Sequence, residues 1–209
     1  MLAITIADSV AYRRMAELAA ASVRDHTGLE TRIVEPAAGV PAAVAKLLLL
    51  QDWPDQTIVY FDADTRLVAD WDLRPFDQRP YFAAVPDLLS DALTADCKRF
   101  KLDPVRYVNS GVWIANQRHA AAFAWAYQFA TDKSYRTSFG WEQSALNAAL
   151  QRHQIPLHFL DRRYNWICRQ DNPPPPDAVL LHVAGGSLHS DNRSIFERAL
   201  RERADRIPA

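Results

Sequence analysis

The sequence predicts an α/β fold, a mostly parallel central sheet flanked by helices. Three observations carry that expectation. Short apolar runs alternate with helix-forming stretches from the first residues onward, the order that builds a parallel, helix-covered sheet. Thr57 to Phe61 is a continuous run of apolar and β-branched residues that ends on two acids, Asp62 and Asp64; a strand buried on both faces reads that way. The length, 209 residues, suits one large domain with a sizeable core.

Taken in order, Leu2 to Ala7 is an apolar run suited to a central strand. Ala11 to His26 is alanine-rich and helical, with Gly28 as its stop. Thr31 to Glu35 reads as a second strand, Ala42 to Gln51 as a second helix and Thr57 to Phe61 as a third strand, which resumes at Thr65 to Val68. Ligands of such sheets lie beyond the carboxyl ends of the strands, and Asp62 and Asp64 fall at such an end. In the second half Tyr81 to Val85 and Val112 to Ala115 read as strands, separated by a polar segment rich in Asp and Lys. Ala120 to Ala130 is a helix whose Phe123, Trp125, Tyr127 and Phe129 suit packing on the sheet. Trp141 to Gln151 is another, opened by Gly140 with Glu142 in its first turn. Pro173 to Pro176 form a stiff extended connector before a late strand, Ala178 to Val183. Asn192 to Arg206 reads as a helix packed on the domain through Ile195, Phe196, Ala199 and Leu200. There is no internal repeat and no separating linker, so a single domain over 1–209 is expected.

Composition removes several classes. The net charge of −1 gives no global field favouring nucleic acid or an anionic membrane. Cys97 and Cys168 lack any metal-ligand spacing and read as buried, reduced thiols compatible with the cytosol. The amino terminus has no cationic start and meets Asp8 at once, unlike a signal peptide. Val40 to Leu50, the longest greasy tract, is broken by Pro41 and Lys46 and is too short to span a bilayer. A soluble, cytoplasmic protein is expected, with peripheral contact at the inner membrane face left open.

Side chains at i and i+2 of an extended segment share a side. Asp62 and Asp64 can then converge on one hard cation, as an ion carrying a diphosphate requires. The competing reading is a solvated turn after a core strand. Asp62-Ala63-Asp64-Thr65 also satisfies the Asp-x-Asp-x-Thr pattern of haloacid-dehalogenase-type phosphatases, with Asp62 as nucleophile and Asp64 as acid/base. That chemistry needs a later acidic pair on a strand end, which the sequence does not offer, and a strand-helix-strand-helix block precedes the motif.

Further segments follow in order: Lys46; Asn109-Ser110-Gly111-Val112; Trp141-Glu142-Gln143-Ser144-Ala145-Leu146-Asn147; Tyr164-Asn165-Trp166; and Leu181-His182-Val183-Ala184-Gly185. With Tyr60-Phe61-Asp62-Ala63-Asp64-Thr65-Arg66-Leu67-Val68, this ordered set resembles the retaining glycosyltransferases of family 8, the glycogenin and bacterial lipopolysaccharide galactosyltransferase type. The resemblance runs from about residue 1 to about residue 190 and implies the GT-A nucleotide-diphospho-sugar transferase fold. It implies a nucleotide-binding half, about 1–70, a sugar and acceptor half, about 71–190, and a UDP-sugar donor.

The resemblance further implies Mn²⁺ or another divalent cation held by Asp62, Asp64 and His182. Nucleotide contacts would come from Asp8, Tyr12, Lys46, Asp62, Ala63 and Gly185, with Tyr12 stacking on uracil. Sugar contacts would come from Asn109, Ser110, Gly111, Glu142 and Gln143. Catalytic roles fall to Glu142, which holds donor hydroxyls, and to Gln143, which supports a short-lived oxocarbenium ion. Plainer readings stand beside these: Asp8 as a helix cap, Asn109-Ser110-Gly111 as a tight turn, Glu142 as a dipole partner and His182 as a hydrogen-bonded core histidine. Gly185-Gly186 favours the ligand role for His182, because bare backbone lets amides approach a phosphate.

The chain departs from the family at Leu188, where a lysine is usual; His189, Arg193 or Lys46 are candidate replacements. Glu142 stands for an aspartate and Phe139 for an acid found in some members. The acceptor implied is a surface glycan, a protein or a small molecule, and the near-neutral charge argues against nucleic acid. A nucleotide-sugar-binding protein without turnover is the further alternative.

Overall fold

A computed structural model describes residues 1–88, 90–136, 138, 140–168, 173–183, 197–198 and 200–201. Strand β1 (Leu2–Ile6) is buried along its whole length. Helix α1 (Val10–Thr27) begins where the Tyr12 amide donates to Ser9 Oγ and ends where Gly28 takes φ 70° and donates to the Arg24 carbonyl. The expected glycine stop is therefore present, and its positive φ is the reason for glycine there. Small side chains at Ala16, Ala19 and Ala20 let α1 lie close to the sheet.

β2 (Thr31–Val34) follows. The helix expected over Ala42 to Gln51 is broken into α2 (Ala42–Ala45), a 3₁₀ turn (Lys46–Leu48) and α3 (Leu49–Asp52). The break lies at Lys46, whose ammonium is buried against other elements. β3 (Ile58–Phe61), β4 (Thr65–Leu67) and β5 (Phe82–Pro86) come next. The polar segment after β5 holds a helix that its composition did not announce, α4 (Asp91–Phe100), capped by Ser90. β6 (Val108–Ala115) starts four residues before the expected strand and contains Asn109, Ser110 and Gly111. α5 (Ala120–Thr131), the short α6 (Lys133–Arg136) and α7 (Trp141–Arg152) precede β7 (Leu157–Phe159), β8 (Trp166–Ile167) and β9 (Leu180–His182).

Six strands form the main sheet in the order β2-β1-β3-β6-β5-β7. β1 pairs parallel with β2 and β3, and β5 pairs parallel with β7. β6 is antiparallel to both β3 and β5, so it alone runs against the rest of a mostly parallel sheet. The reversal has a consequence for the site: the amino-terminal half of β6 lies at the carboxyl ends of its neighbours, with Val112 opposite Phe61. A small second sheet has the order β4-β9-β8.

Alternate residues of β3 and β6 face opposite sides, as strand geometry requires. Ile58, Tyr60 and Trp113 join the core under α5 and α7, with Leu50, Phe82, Phe123 and Leu146. Val59, Phe61, Val112 and Ile114 join the layer with Ala19, Val23 and Leu180. Cys97 and Cys168 are buried in separate clusters. Among the described residues no helix is long and apolar enough to cross a membrane. Of the expected terminal helix, residues 197, 198, 200 and 201 are helical, and Leu200 packs on Cys168, Leu181 and Val183. Phe139, Gly185, Gly186, Leu188, His189 and Arg193 lie outside the described residues.

Candidate metal centre

Beyond Phe61 the chain makes one more sheet bond, from the Asp62 amide to the Gly111 carbonyl (2.8 Å), and then turns. Thr65 closes the turn by donating its hydroxyl (2.7 Å) and its amide (3.2 Å) to the Asp62 carbonyl. The two acids therefore sit on a tight turn, not on a straight strand; they converge because the turn folds Asp64 back beside Asp62. It is not a solvated turn: the Asp62 and Asp64 side chains are only 29% and 12% exposed. Ala63, between them, is buried against Ala7 and Ala16.

The third member of the cluster comes from far along the chain. β9 lies antiparallel on β4 with His182 opposite Thr65, and the Val183 amide donates to the Asp64 carbonyl (3.1 Å). This register puts His182 Nε2 3.4 Å from Asp64 Oδ1 and 3.7 Å from Asp62 Oδ2. One ligand atom from each residue lies within 4.8 Å of the other two. Oxygen and nitrogen ligands about 2.1–2.5 Å from a shared ion stand roughly 3–4 Å apart, so the set fits a divalent cation with small adjustments. His182 is buried, as a core histidine would be, yet its Nε2 faces both acids.

Electrostatics mark the same spot. Burial alone would lower the His182 titration, but the adjacent Asp64 and then Asp62 outweigh it and raise it. Burial pushes Asp64 up, but His182, a backbone hydrogen bond and Lys46 together outweigh it and leave the carboxyl below its ordinary value. Asp62 ends above it, because burial outweighs the pull of Lys46 and His182. Tyr60, raised well above the ordinary phenol value by burial and by Asp62, stays protonated and donates to Asp62 Oδ1 (2.6 Å). Two carboxylates and an imidazole that face one another are a donor set that suits a divalent cation.

On the other side of Asp62 lies Lys46, 2% exposed. Its ammonium stands 3.5 Å from Asp62 Oδ1 and 3.1 Å from Glu142 Oε1, and it donates to both the carbonyl and the hydroxyl of Ser110 (3.2 Å each). Burial lowers its titration, but Asp62 and Glu142 more than reverse the effect, so Lys46 stays charged. Glu142 is thus an ion-pair partner as well as a first-turn acid. Gln143 accepts from the Ser110 amide (2.9 Å) and donates to Asp87 Oδ2 (2.7 Å), so both ends of its amide are fixed.

The helix end that presents Glu142 and Gln143 is itself constrained. Gly140 donates to buried Asp96 (2.8 Å), and a Cβ on it would collide with Ser144 and with the Tyr107 hydroxyl. Trp141 takes φ 37°, a left-handed backbone costing about 1–3 kcal/mol for a bulky residue. Its indole donates to the Ala130 carbonyl (2.8 Å).

The plainer reading of Asn109-Ser110-Gly111 as a tight turn does not hold; these residues are strand. Asn109 Oδ1 accepts from the Gly111 amide (2.9 Å) and from Asn165 (2.8 Å), which commits that oxygen to the framework of the site. Gly111 is required sterically, since a Cβ there would strike His182 Cε1 and Asp62 Oδ2. Asp8 is not the helix cap; Ser9 is. A cleft of about 280 Å³ is lined by Asp8, Tyr12, Lys46, Asp62, Asp64 and Glu142, among others.

Three residues of this site went unassigned by the sequence. Tyr60 lies on β3 two positions before Asp62, a spacing that pointed to it. Asp87 follows an apolar strand directly, the same signal that drew attention to Asp62. Asn165 was visible only as part of the Tyr164-Asn165-Trp166 resemblance, without a role.

The sequence matches no family model and no curated protein sequence. Solved structures do match in fold. The galactosyltransferase LgtC, in complex with donor and acceptor sugar analogues, aligns over 100% of this chain and 98% of its own, at TM-score 0.68 and 16% identity. A glycosyltransferase involved in glycosylation of the major capsid of PBCV-1 covers 95% of this chain and 98% of its own, at TM-score 0.66 and 13% identity. The glycosyltransferase GlyE of Streptococcus pneumoniae, in its apo form, covers 97% of this chain and 61% of its own, at TM-score 0.65 and 16% identity. At such identities the likeness is one of architecture: the chain has the GT-A glycosyltransferase fold.

Proposed function

We propose that this chain is a metal-dependent, retaining glycosyltransferase that moves a hexose from a UDP-sugar to a hydroxyl of a glycan, protein or small molecule. One observation carries the proposal: on a glycosyltransferase fold, Asp62, Asp64 and His182 offer ligand atoms within 4.8 Å of one another, and the two acids line a cleft. Asp62, Asp64 and His182 would hold Mn²⁺ or another divalent ion. When bound, such an ion neutralises charge that develops on a departing diphosphate.

Around that point each side chain has a definable task. Lys46, buried and charged beside Asp62, adds a second fixed positive charge where the leaving group would lie. Asp8 and Tyr12, which line the same cleft, suit the base, with Tyr12 as a stacking ring. Ser110, Glu142 and Gln143 present hydroxyl, carboxylate and amide groups for sugar hydroxyls. In the proposed step the acceptor oxygen bonds to the anomeric carbon on the face that the diphosphate leaves, while the carbon–oxygen bond to the diphosphate breaks. The hydroxyl proton passes to the leaving phosphate. The Gln143 carbonyl, held by Ser110 and Asp87, supplies modest electrostatic support to the oxocarbenium-like centre.

UDP release from a panel of UDP-hexoses, with Mn²⁺ and with chelator, tests this reading. Turnover of at least one donor, lost on chelation, is expected. Asp64→Ala should abolish the metal-dependent rate while leaving the chain folded. Binding of UDP with Mn²⁺ but no turnover of any donor would favour the nucleotide-sugar-binding alternative. Hydrolysis of an aryl phosphate would revive the phosphatase, which the observed fold does not favour.

A further inference from the structure

A buried imidazole can serve as an ion ligand only if its inward nitrogen is free of hydrogen, and its tautomer is set by what the other nitrogen meets. Here the second nitrogen meets a chain of hydrogen bonds whose direction can be read from its far end. The Gly111 backbone amide can only donate, and it donates to Asn109 Oδ1 (2.9 Å). That fixes which end of the Asn109 amide is oxygen. The same oxygen receives Asn165 Nδ2 at 2.8 Å, so Asn165 must turn its amino group toward Asn109. Asn165 must then turn its carbonyl oxygen toward His182 Nδ1, 2.8 Å away. A carbonyl can only accept, which places the hydrogen on Nδ1 and leaves Nε2 as the lone-pair nitrogen whenever the ring is neutral. Nε2 is the atom that faces Asp62 and Asp64.

We infer that Asn165 is a positioning residue that holds His182 in the Nδ1–H tautomer and so keeps Nε2 available to a cation, with the direction of the relay set by the Gly111 amide. The inference rests on the proposed ion site and adds what prepares it before any ion arrives. Asn165 and His182 are 3% and 2% exposed, so water does not compete for these bonds, and each partner in the relay is committed. Gly111 has two separate jobs here: its amide starts the relay, and its missing Cβ leaves room for the ring that the relay orients.

Two measurements test the relay. The first needs no variant: ¹⁵N NMR of the histidine-labelled wild-type chain without ion, at alkaline pH, with the His182 signals identified by their loss in His182→Gln. The expected spectrum shows a protonated Nδ1 and a bare Nε2; a neutral ring protonated at Nε2 would overturn the inference. The second is calorimetric titration of Mn²⁺ into wild type, Asn165→Ala and Asn165→Asp. Asn165→Ala should bind the ion about 10- to 100-fold more weakly, the usual effect of removing a ligand's orienting partner. Asn165→Asp, which still offers Nδ1 an acceptor, should recover part of that loss, an outcome that a purely structural role would not produce. Equal affinity in Asn165→Ala and wild type would overturn the relay while leaving the ion site intact. Absence of Mn²⁺ binding by the wild-type chain would overturn the ion site itself, and the NMR result would still decide the tautomer.

Discussion

At His182 a proton and the proposed ion would compete for one nitrogen, and that exchange is measurable. Its titration is raised because Asp64 and Asp62 outweigh the effect of burial. A cation that takes Nε2 must displace this proton, so affinity for Mn²⁺ should rise with pH through the range just above the ordinary imidazole value of about 6.5. Titration calorimetry in buffers of different ionisation heat would count the protons released; a pH-independent affinity would contradict His182 as a ligand. The linkage for folding has the opposite sense. A raised folded-state value stabilises the ion-free chain fully below the unfolded imidazole's titration, and that contribution is lost as pH climbs through the folded one. Melting of the ion-free chain should therefore weaken across that window, and saturating Mn²⁺ should remove the trend. At a neighbouring position, Gly111→Ala should cost about 1–3 kcal/mol from overpacking and should also lower ion affinity, because the new methyl meets His182 and Asp62.

At the scale of elements, the site exists because strands from distant parts of the chain meet in one register. β9 pairs with β4 so that His182 lies opposite Thr65, and β6 runs antiparallel to β3 so that Gly111 reaches Asp62. Leu181, fully buried in the cluster that β9 forms with Cys168, Ala178 and Val183, anchors that register. Leu181→Ala should cost about 2–5 kcal/mol and weaken Mn²⁺ binding in parallel, read by denaturant melts with and without the ion. Lys46 ties the broken α2–α3 segment to the Asp62 turn and to α7. Lys46→Met should destabilise by about 3 kcal/mol, because Asp62 and Glu142 would lose the cation they share. Urea melts of that variant against wild type check it.

Much of this scale was legible beforehand. β1, β2, β3 and the helices α1, α5 and α7 announce themselves by period and by their end residues, Gly28 and Gly140 among them. α4 did not: its Asp and Lys residues give a solvated look, and it reaches the core through Leu93, Cys97 and a partly buried Phe100. The early start of β6 was hidden because Asn109, Ser110 and Gly111 are turn formers. Here they hold strand geometry because Gln143, Asn165 and the Asp62 turn occupy their hydrogen-bonding groups.

For the whole molecule, the expectation is that nucleotide and ion act on global stability together. A ligand present at about 100 times its Kd stabilises the folded state by about 2.7 kcal/mol, and 1 kcal/mol moves the melting point of a chain this size by about 2–4 °C. UDP with Mn²⁺ should raise the transition by roughly 5–10 °C at such concentrations, and either alone by much less, because on the proposed reading the ion offsets the repulsion between the two acids and the diphosphate. A thermal-shift matrix of nucleotides with and without the ion checks this, and an equal shift from UDP alone would remove the metal from donor binding. The sequence by itself determined the class of fold and the pair of acids, because hydrophobic period and local end signals are properties of neighbouring residues. Only tertiary structure decided that His182 stands beside both acids, that Lys46 lies against Asp62, and that Asn165 links the Gly111 strand to His182. Those outcomes depend on strand order and register, which bring together residues separated by scores of positions, and no local pattern encodes such distances.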